Sequence, residues 1–110
     1  MRWIEIAQKY EVNVQGSVEA YPIITAVTQK EIPYIKLSVG NAALKLHYPF
    51  KKNDTVKVDF DKRKVFINDE LQMTSVDLTD ADFFPLTPGL NEIQTVPAMQ
   101  LEVKYRERWL

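Results

Sequence analysis

Apolar residues recur at every second position through most of the chain. In "KYEVNV", Tyr10, Val12 and Val14 alternate with Lys9, Glu11 and Asn13. "LKLHY" sets Leu44, Leu46 and Tyr48 against Lys45 and His47. "TVKVDF" does the same with Val56, Val58 and Phe60, and "MQLEVKY" with Met99, Leu101, Val103 and Tyr105. Successive side chains of a strand point to opposite faces, so each segment has one dry and one wet side. Helical periodicity is nearly absent.

Turn residues separate these runs: Gly16, "GN" at 40–41, "KKND" at 51–54, "DKR" at 61–63, "ND" at 68–69 and "TPG" at 87–89. Their spacing predicts an all-β, antiparallel β-sandwich of about nine or ten short strands. Pro22 and Pro33 fall inside apolar runs and cannot donate to a ladder, so strand starts or edges are their expected places. "DLTDADFF" is the one helical candidate, a single turn capped by Thr79 or Asp80 and ended by Pro85.

Charge changes this picture little. With 14 Lys plus Arg against 15 Asp plus Glu, the net charge is −1, and nothing draws the whole chain onto nucleic acid or anionic lipid. Without cysteine there is no disulfide, thiolate metal site or Cys nucleophile. No apolar run approaches a membrane span, and "MRWIEIAQKY" does not read as a signal peptide. The 110 residues are read as one domain with a core of its own.

The densest charge lies in "DTVKVDFDKRKVFINDE". With Val56, Val58, Phe60, Val65 and Ile67 facing inward, Lys57, Asp59 and Asp61 are expected to project from the wet face near Arg63 and Lys64. Asp59 and Asp61 are candidates for a glycosidase pair, since alternate strand positions lie about 6 to 7 Å apart. A general acid must approach from another side than its partner, and the nearby Lys57 and Lys64 favour ionisation of both groups. A solvated hairpin exterior is the preferred reading.

Three other groups bear on chemistry. His47, the one histidine, points away from Leu46 and Tyr48, toward solvent or a neighbouring strand. Asp77, Asp80 and Asp82 lack the central Gly and closing Glu of a calcium loop, and capping of a short helical turn accounts for them. Tyr10, Phe60 and Tyr105 are expected in the core, while Trp3 and Trp109 are placed to pack together or to form an outer patch. No catalytic, cofactor-binding or metal residue emerges.

Four segments carry a resemblance over about Val12 to Leu110. They are "NVQGSVEAYPIIT", the hairpin "NDTVKVDFDKRKVFIND", "DFFPLTPGLNEI" with its Pro-Gly-x-Asn turn, and the closing "LEVKYRERWL". In order and spacing the chain resembles the C-terminal domain of the distal tail protein family of long, flexible-tailed phages of Gram-positive bacteria. Residues 1–11 are unmatched and read as a leader or first strand. The resemblance implies a galectin-like sandwich at the virion tail tip, made in the bacterial cytoplasm during assembly. It also implies partners among the tail tube, the tail-tip hub or tail lysin, and the receptor-binding protein.

Relatives form a ring through an N-terminal half that finds no match in this chain, so the isolated domain is expected to be monomeric. "HYP" at 47–49 does not continue as the galectin sugar motif does, so lectin activity is not implied. The competing function is a carbohydrate-binding module for host cell-wall polysaccharide, which needs exposed coplanar aromatics. A glycosidase using Asp59 or Asp61 is the third.

Overall fold

The computed structural model of the chain describes residues 8–107. Trp3 and Trp109, expected to pack together or to form an outer patch, lie outside these residues. Ten strands form in chain order. They are β1 (Gln8–Val14), β2 (Ile23–Val27), β3 (Ile32–Val39), β4 (Ala42–Phe50), β5 (Thr55–Asp59), β6 (Lys64–Ile67), β7 (Glu70–Leu71), β8 (Val76–Ala81), β9 (Gly89–Val96) and β10 (Leu101–Lys104). They pair antiparallel in two five-stranded sheets, β1-β9-β3-β4-β8 and β10-β2-β5-β6-β7. The all-β sandwich expected from the alternation is the fold.

The dry positions meet between the sheets. Leu44, Leu46, Ile35 and Leu37 come from the first sheet, and Ile24, Val56, Val58, Val65 and Ile67 from the second, all buried in one cluster. Phe60 lies just past β5 and fills one end of the core, with its ring centroid 4.5 Å from that of Phe84 and 6.0 Å from that of Phe83. Full burial of such side chains is worth about 1.5–3 kcal/mol each relative to exposure, which is why the period-two pattern dictates the layers. Phe84 and Leu86 reach the same core from the 82–88 connection, where Ala20 and Leu86 form an isolated antiparallel bridge.

Turn residues occupy positions that ordinary side chains avoid. Asn68 and Asp69 have φ of 52° and 66° and close the two-residue link between β6 and β7. Two left-handed residues match the twist of a tight hairpin, and Asn and Asp tolerate that region better than most. Pro33 is the second residue of β3, beside the register shift between Ile32 and Tyr34. β9 begins to pair with β3 only at Lys36, so the missing N–H of Pro33 costs that ladder nothing.

Three expectations are corrected. "DLTDADFF" is no helix: Val76–Ala81 is an edge strand, and the only turn of 3₁₀ helix among the described residues lies just before it at Met73–Ser75. An isolated helical turn would leave its own end groups unpaired and the outer edge of β4 without a partner. Instead the segment pairs with β4 at Leu44–Ala81 and Leu46–Val76, bowing outward between them with Leu78 98% exposed.

Tyr10 and Tyr105 are half-buried at the rim rather than in the core. The Tyr10 hydroxyl donates to the Met99 carbonyl, and that of Tyr105 to the Asn13 carbonyl at 3.2 Å. Both bonds tie β1 to the far end of the chain across the two layers. Asp59, expected on the wet face, is only 9% exposed.

Candidate functional site

Asp59 and Asp61 line a groove of about 600 Å³ together with Tyr21, Ile23, Lys62, Lys104, Tyr105 and Arg106. The register explains its makeup. β2 and β5 pair Ile23 with Asp59, β10 and β2 pair Lys104 with Ile23, and β5 and β6 pair Asp59 with Lys64. The outer ends of four strands therefore converge on Asp59, which covers its carboxylate. Its Oδ1 accepts the Lys62 N–H at 3.0 Å and so closes the "DKR" turn. No third acid joins Asp59 and Asp61 in the lining, which carries Lys62, Lys104 and Arg106 instead. The groove is open, and apart from Asp59 its charged side chains, Asp61, Lys62, Lys104 and Arg106, are exposed to water rather than held in a dry, field-focusing cleft.

The turn residues at the other end of β5 perform the same kind of task. Asp54 Oδ2 accepts the Lys51 N–H at 2.7 Å, and Oδ1 accepts from Asn68 Nδ2 at 3.0 Å. Asn68 in turn accepts the Thr55 N–H at 3.0 Å, locking the start of β5 to the turn after β6. The Asn68 amide first, and then the Lys51 N–H, hold the Asp54 carboxyl below its usual pKa. Behind it, the fully buried Thr28 hydroxyl donates to the Lys51 carbonyl and accepts the Asp54 N–H at 2.9 Å.

Asp77, Asp80 and Asp82 are not gathered around a common point. Asp77 accepts the Thr79 N–H at 2.7 Å and the Asp80 N–H at 3.3 Å, and meets His47 Nε2 at 2.6 Å. The Thr79 N–H and then His47 lower its pKa to about 2. Asp82 turns the other way and accepts the Ala43 N–H at 3.2 Å. Among the described residues, no group of three His, Asp or Glu side chains could hold a metal ion. His47 is exposed, as its strand phase requires, and its partner comes from the neighbouring edge strand.

The residue that sequence reasoning undervalued is Asn91. It is 3% exposed, and both ends of its amide are used. Oδ1 accepts from the Thr87 N–H at 2.9 Å and the Thr87 hydroxyl at 3.2 Å. Nδ2 donates to the carbonyls of Thr87 at 2.8 Å, Gly89 at 3.1 Å and Val12 at 3.4 Å. Gly89 between them has φ of 96°, which L side chains rarely adopt. The Pro-Gly-x-Asn pattern signalled a self-bonded turn. It gave no sign of the reach to Val12 on β1.

Asp54, Asp59, Asp77 and Asp82 are thus engaged in holding turns and edges. No curated protein matches the sequence. Among solved structures, the crystal structure of the Dit protein of phage SPP1 matches with a TM-score of 0.70 and 13% identity. That structure is described as a paradigm of the hub adsorption apparatus in phages infecting Gram-positive bacteria. The alignment covers 94% of this chain and 47% of that one, so the chain spans about half the length of the protein it resembles. At that identity the likeness establishes the fold. The sequence profile of the siphovirus-type tail component, C-terminal domain, matches residues 15–109. Nearly the whole chain is covered by that match, and the chain belongs to this family of phage tail components.

Proposed function

We propose that the chain is a structural part of the phage tail tip, joining the tail tube to the adsorption apparatus by docking other tail proteins, and that it catalyses no reaction. The observation that carries this reading is the use of the candidate carboxylates. Asp54, Asp59, Asp77 and Asp82 each accept backbone N–H groups at turns and edges. A carboxylate whose oxygens already accept backbone N–H groups has those lone pairs occupied and is held in a turn or edge rather than aimed at a substrate. What remains for function is the surface of a rigid sandwich, and such a scaffold acts by what it binds.

Mass spectrometry and labelled electron microscopy of purified virions should find the chain at the tail tip. Particles that are complete without it would overturn the reading. The isolated chain is expected to sediment as a monomer, because a ring would need the half of the protein that this chain does not span. A stable hexamer at micromolar concentration would contradict that.

One observation favours a second reading, cell-wall polysaccharide binding. Tyr21, 37% exposed, and Tyr105 flank hydrogen-bonding groups of Asp61, Lys104 and Arg106 in the open groove. Aromatic faces with polar neighbours are able to take a sugar ring. Cell-wall polysaccharide retained by the chain and lost on Tyr21→Ala would support it, and no retention would remove it.

A further inference from the structure

The two outer faces of the sandwich handle their charge differently. On the second sheet, Lys64 lies directly across from Asp59, and Lys104 pairs with Glu102 at 3.2 Å. On the first sheet, Glu11 lies opposite Glu92, and Lys9 relieves that repulsion by reaching Glu92 at 3.3 Å. The centre of the same face has, among the described residues, no carboxylate in that role. Lys36 of β3 and Lys45 of β4 are directly opposite partners. Their inward neighbours Ile35, Leu37, Leu44 and Leu46 are buried, which puts both lysines on the outer face.

Among the described residues, neither ammonium group lies within ion-pair distance of a carboxylate. Lys45 leans over the Tyr34 ring at 4.6 Å from its centroid, and Val96 is the neighbour of Lys36 on β9. On the adjoining edge strand the acids are Asp77, engaged by His47 and two backbone N–H groups, and Asp80, which is not within ion-pair distance of either lysine.

Like charges directly opposite on a sheet face oppose folding, and their Cβ atoms stand about 4.5–5.5 Å apart. Both stems are half-buried on the middle strands of the sheet and carry their amines at the outer surface. A carboxylate placed between them would turn the repulsion into two charge-assisted hydrogen bonds.

We propose that this face docks an acidic turn or strand of a partner tail protein, whose carboxylate bridges Lys36 and Lys45. The proposal rests on the docking role proposed above and specifies the surface and the chemistry of its partner. Charge complementarity selects the occupant. The lysine row is narrow and is bordered by Asp77 on the β8 side and by Glu11 and Glu92 on the β1 side. A long polyanion would run across those acids, whereas a short acidic segment meets only the lysines.

The test is a nuclear magnetic resonance titration of the chain with the peptide Gly-Ser-Glu-Glu-Ser-Gly in dilute buffer. Amide shifts should centre on β3 and β4, and Lys36→Glu/Lys45→Glu should weaken binding at least about tenfold, the loss of two charge-assisted contacts. The control Lys57→Glu/Lys64→Glu, on the other sheet, should bind as the parent does. The single change Lys36→Glu should raise the melting temperature by about 1–4 °C, because Lys45 then gains an opposite charge across the strands.

Equal binding of the Gln-for-Glu peptide, equal loss in the control, or tighter binding of an oligomeric glycerol phosphate would overturn the proposal. A lower melting temperature for Lys36→Glu would do the same. The two levels separate in a binding assay against purified tail proteins of the same phage. A Lys36→Glu/Lys45→Glu chain that still binds them removes this face alone, while a parent chain that binds none removes the docking role.

Discussion

Replacing Asn91 by alanine removes the amide that joins the 87–89 turn to β1. Three of its bonds are well formed, to the Thr87 N–H at 2.9 Å, the Thr87 carbonyl at 2.8 Å and the Gly89 carbonyl at 3.1 Å. Each is worth about 0.5–1.5 kcal/mol net, and the longer contacts to the Thr87 hydroxyl and Val12 add less. Thr87 and Gly89 are exposed, so water can reach part of what is orphaned. The loss should therefore be about 2–3 kcal/mol, or a fall of roughly 10 °C in Tm for a chain of this size.

Asn91→Asp sharpens the test. It keeps the acceptor oxygen but turns a carboxylate toward three carbonyl oxygens in a site that is 3% exposed. Burial and those oxygens raise the pKa of the new carboxyl above its unfolded value, so the variant loses stability as pH rises past about 4. Urea unfolding followed by far-ultraviolet circular dichroism, at pH about 4 and about 7, measures both effects. An Asn91→Ala variant within about 0.5 kcal/mol of the parent would refute the latch, because surface changes without such a role fall in that range. An Asn91→Asp variant equally stable at both pH values would refute the account of its environment.

Thr28→Val should cost about 0.5–1.5 kcal/mol in the same unfolding assay, since the Lys51 carbonyl and Asp54 N–H lose the hydroxyl and keep only their bond to each other. Asp54 and Asp77 both have folded pKa values below the ordinary 3.8, so their contribution is complete above about pH 4 and is lost as pH falls through the folded values, for Asp77 about 2. Asp54→Asn/Asp77→Asn should flatten the fall in stability across that window, and an unchanged slope there would contradict the assignment. Asp59→Asn retains an oxygen for the Lys62 N–H and should stay within about 0.5 kcal/mol of the parent, whereas Asp59→Ala should lose about 1 kcal/mol. Any glycan hydrolysis by the parent that Asp59→Asn abolished would overturn the non-catalytic reading.

The legible part of the fold was the part written in neighbouring residues. Tyr10, Val12 and Val14, or Val56, Val58 and Phe60, announce a dry face because strand side chains alternate regardless of what the strand pairs with. Turn chemistry was equally local. Asn68, Asp69 and Gly89 stand at positive φ where such residues are expected to reverse the chain. The segment 77–82 misleads for the same reason. Its aspartates carry a local capping signal, but the open edge of β4, far away in sequence, claimed the backbone as a strand.

Register is a long-range property, and what depended on it was hidden. Asp59 occupies a wet phase and is nonetheless buried, because β2 and β6 bring Ile23 and Lys64 to its two sides. Asn91 reaches Val12, and Lys36 meets Lys45, only after strands distant or adjacent in the chain have chosen one alignment. The sequence by itself determined which side of each strand is dry and where the chain turns, since both follow from the conformational preferences of a few consecutive residues. Only the tertiary structure decided which polar groups stand side by side, because a one-residue slip in pairing would have changed every such neighbour.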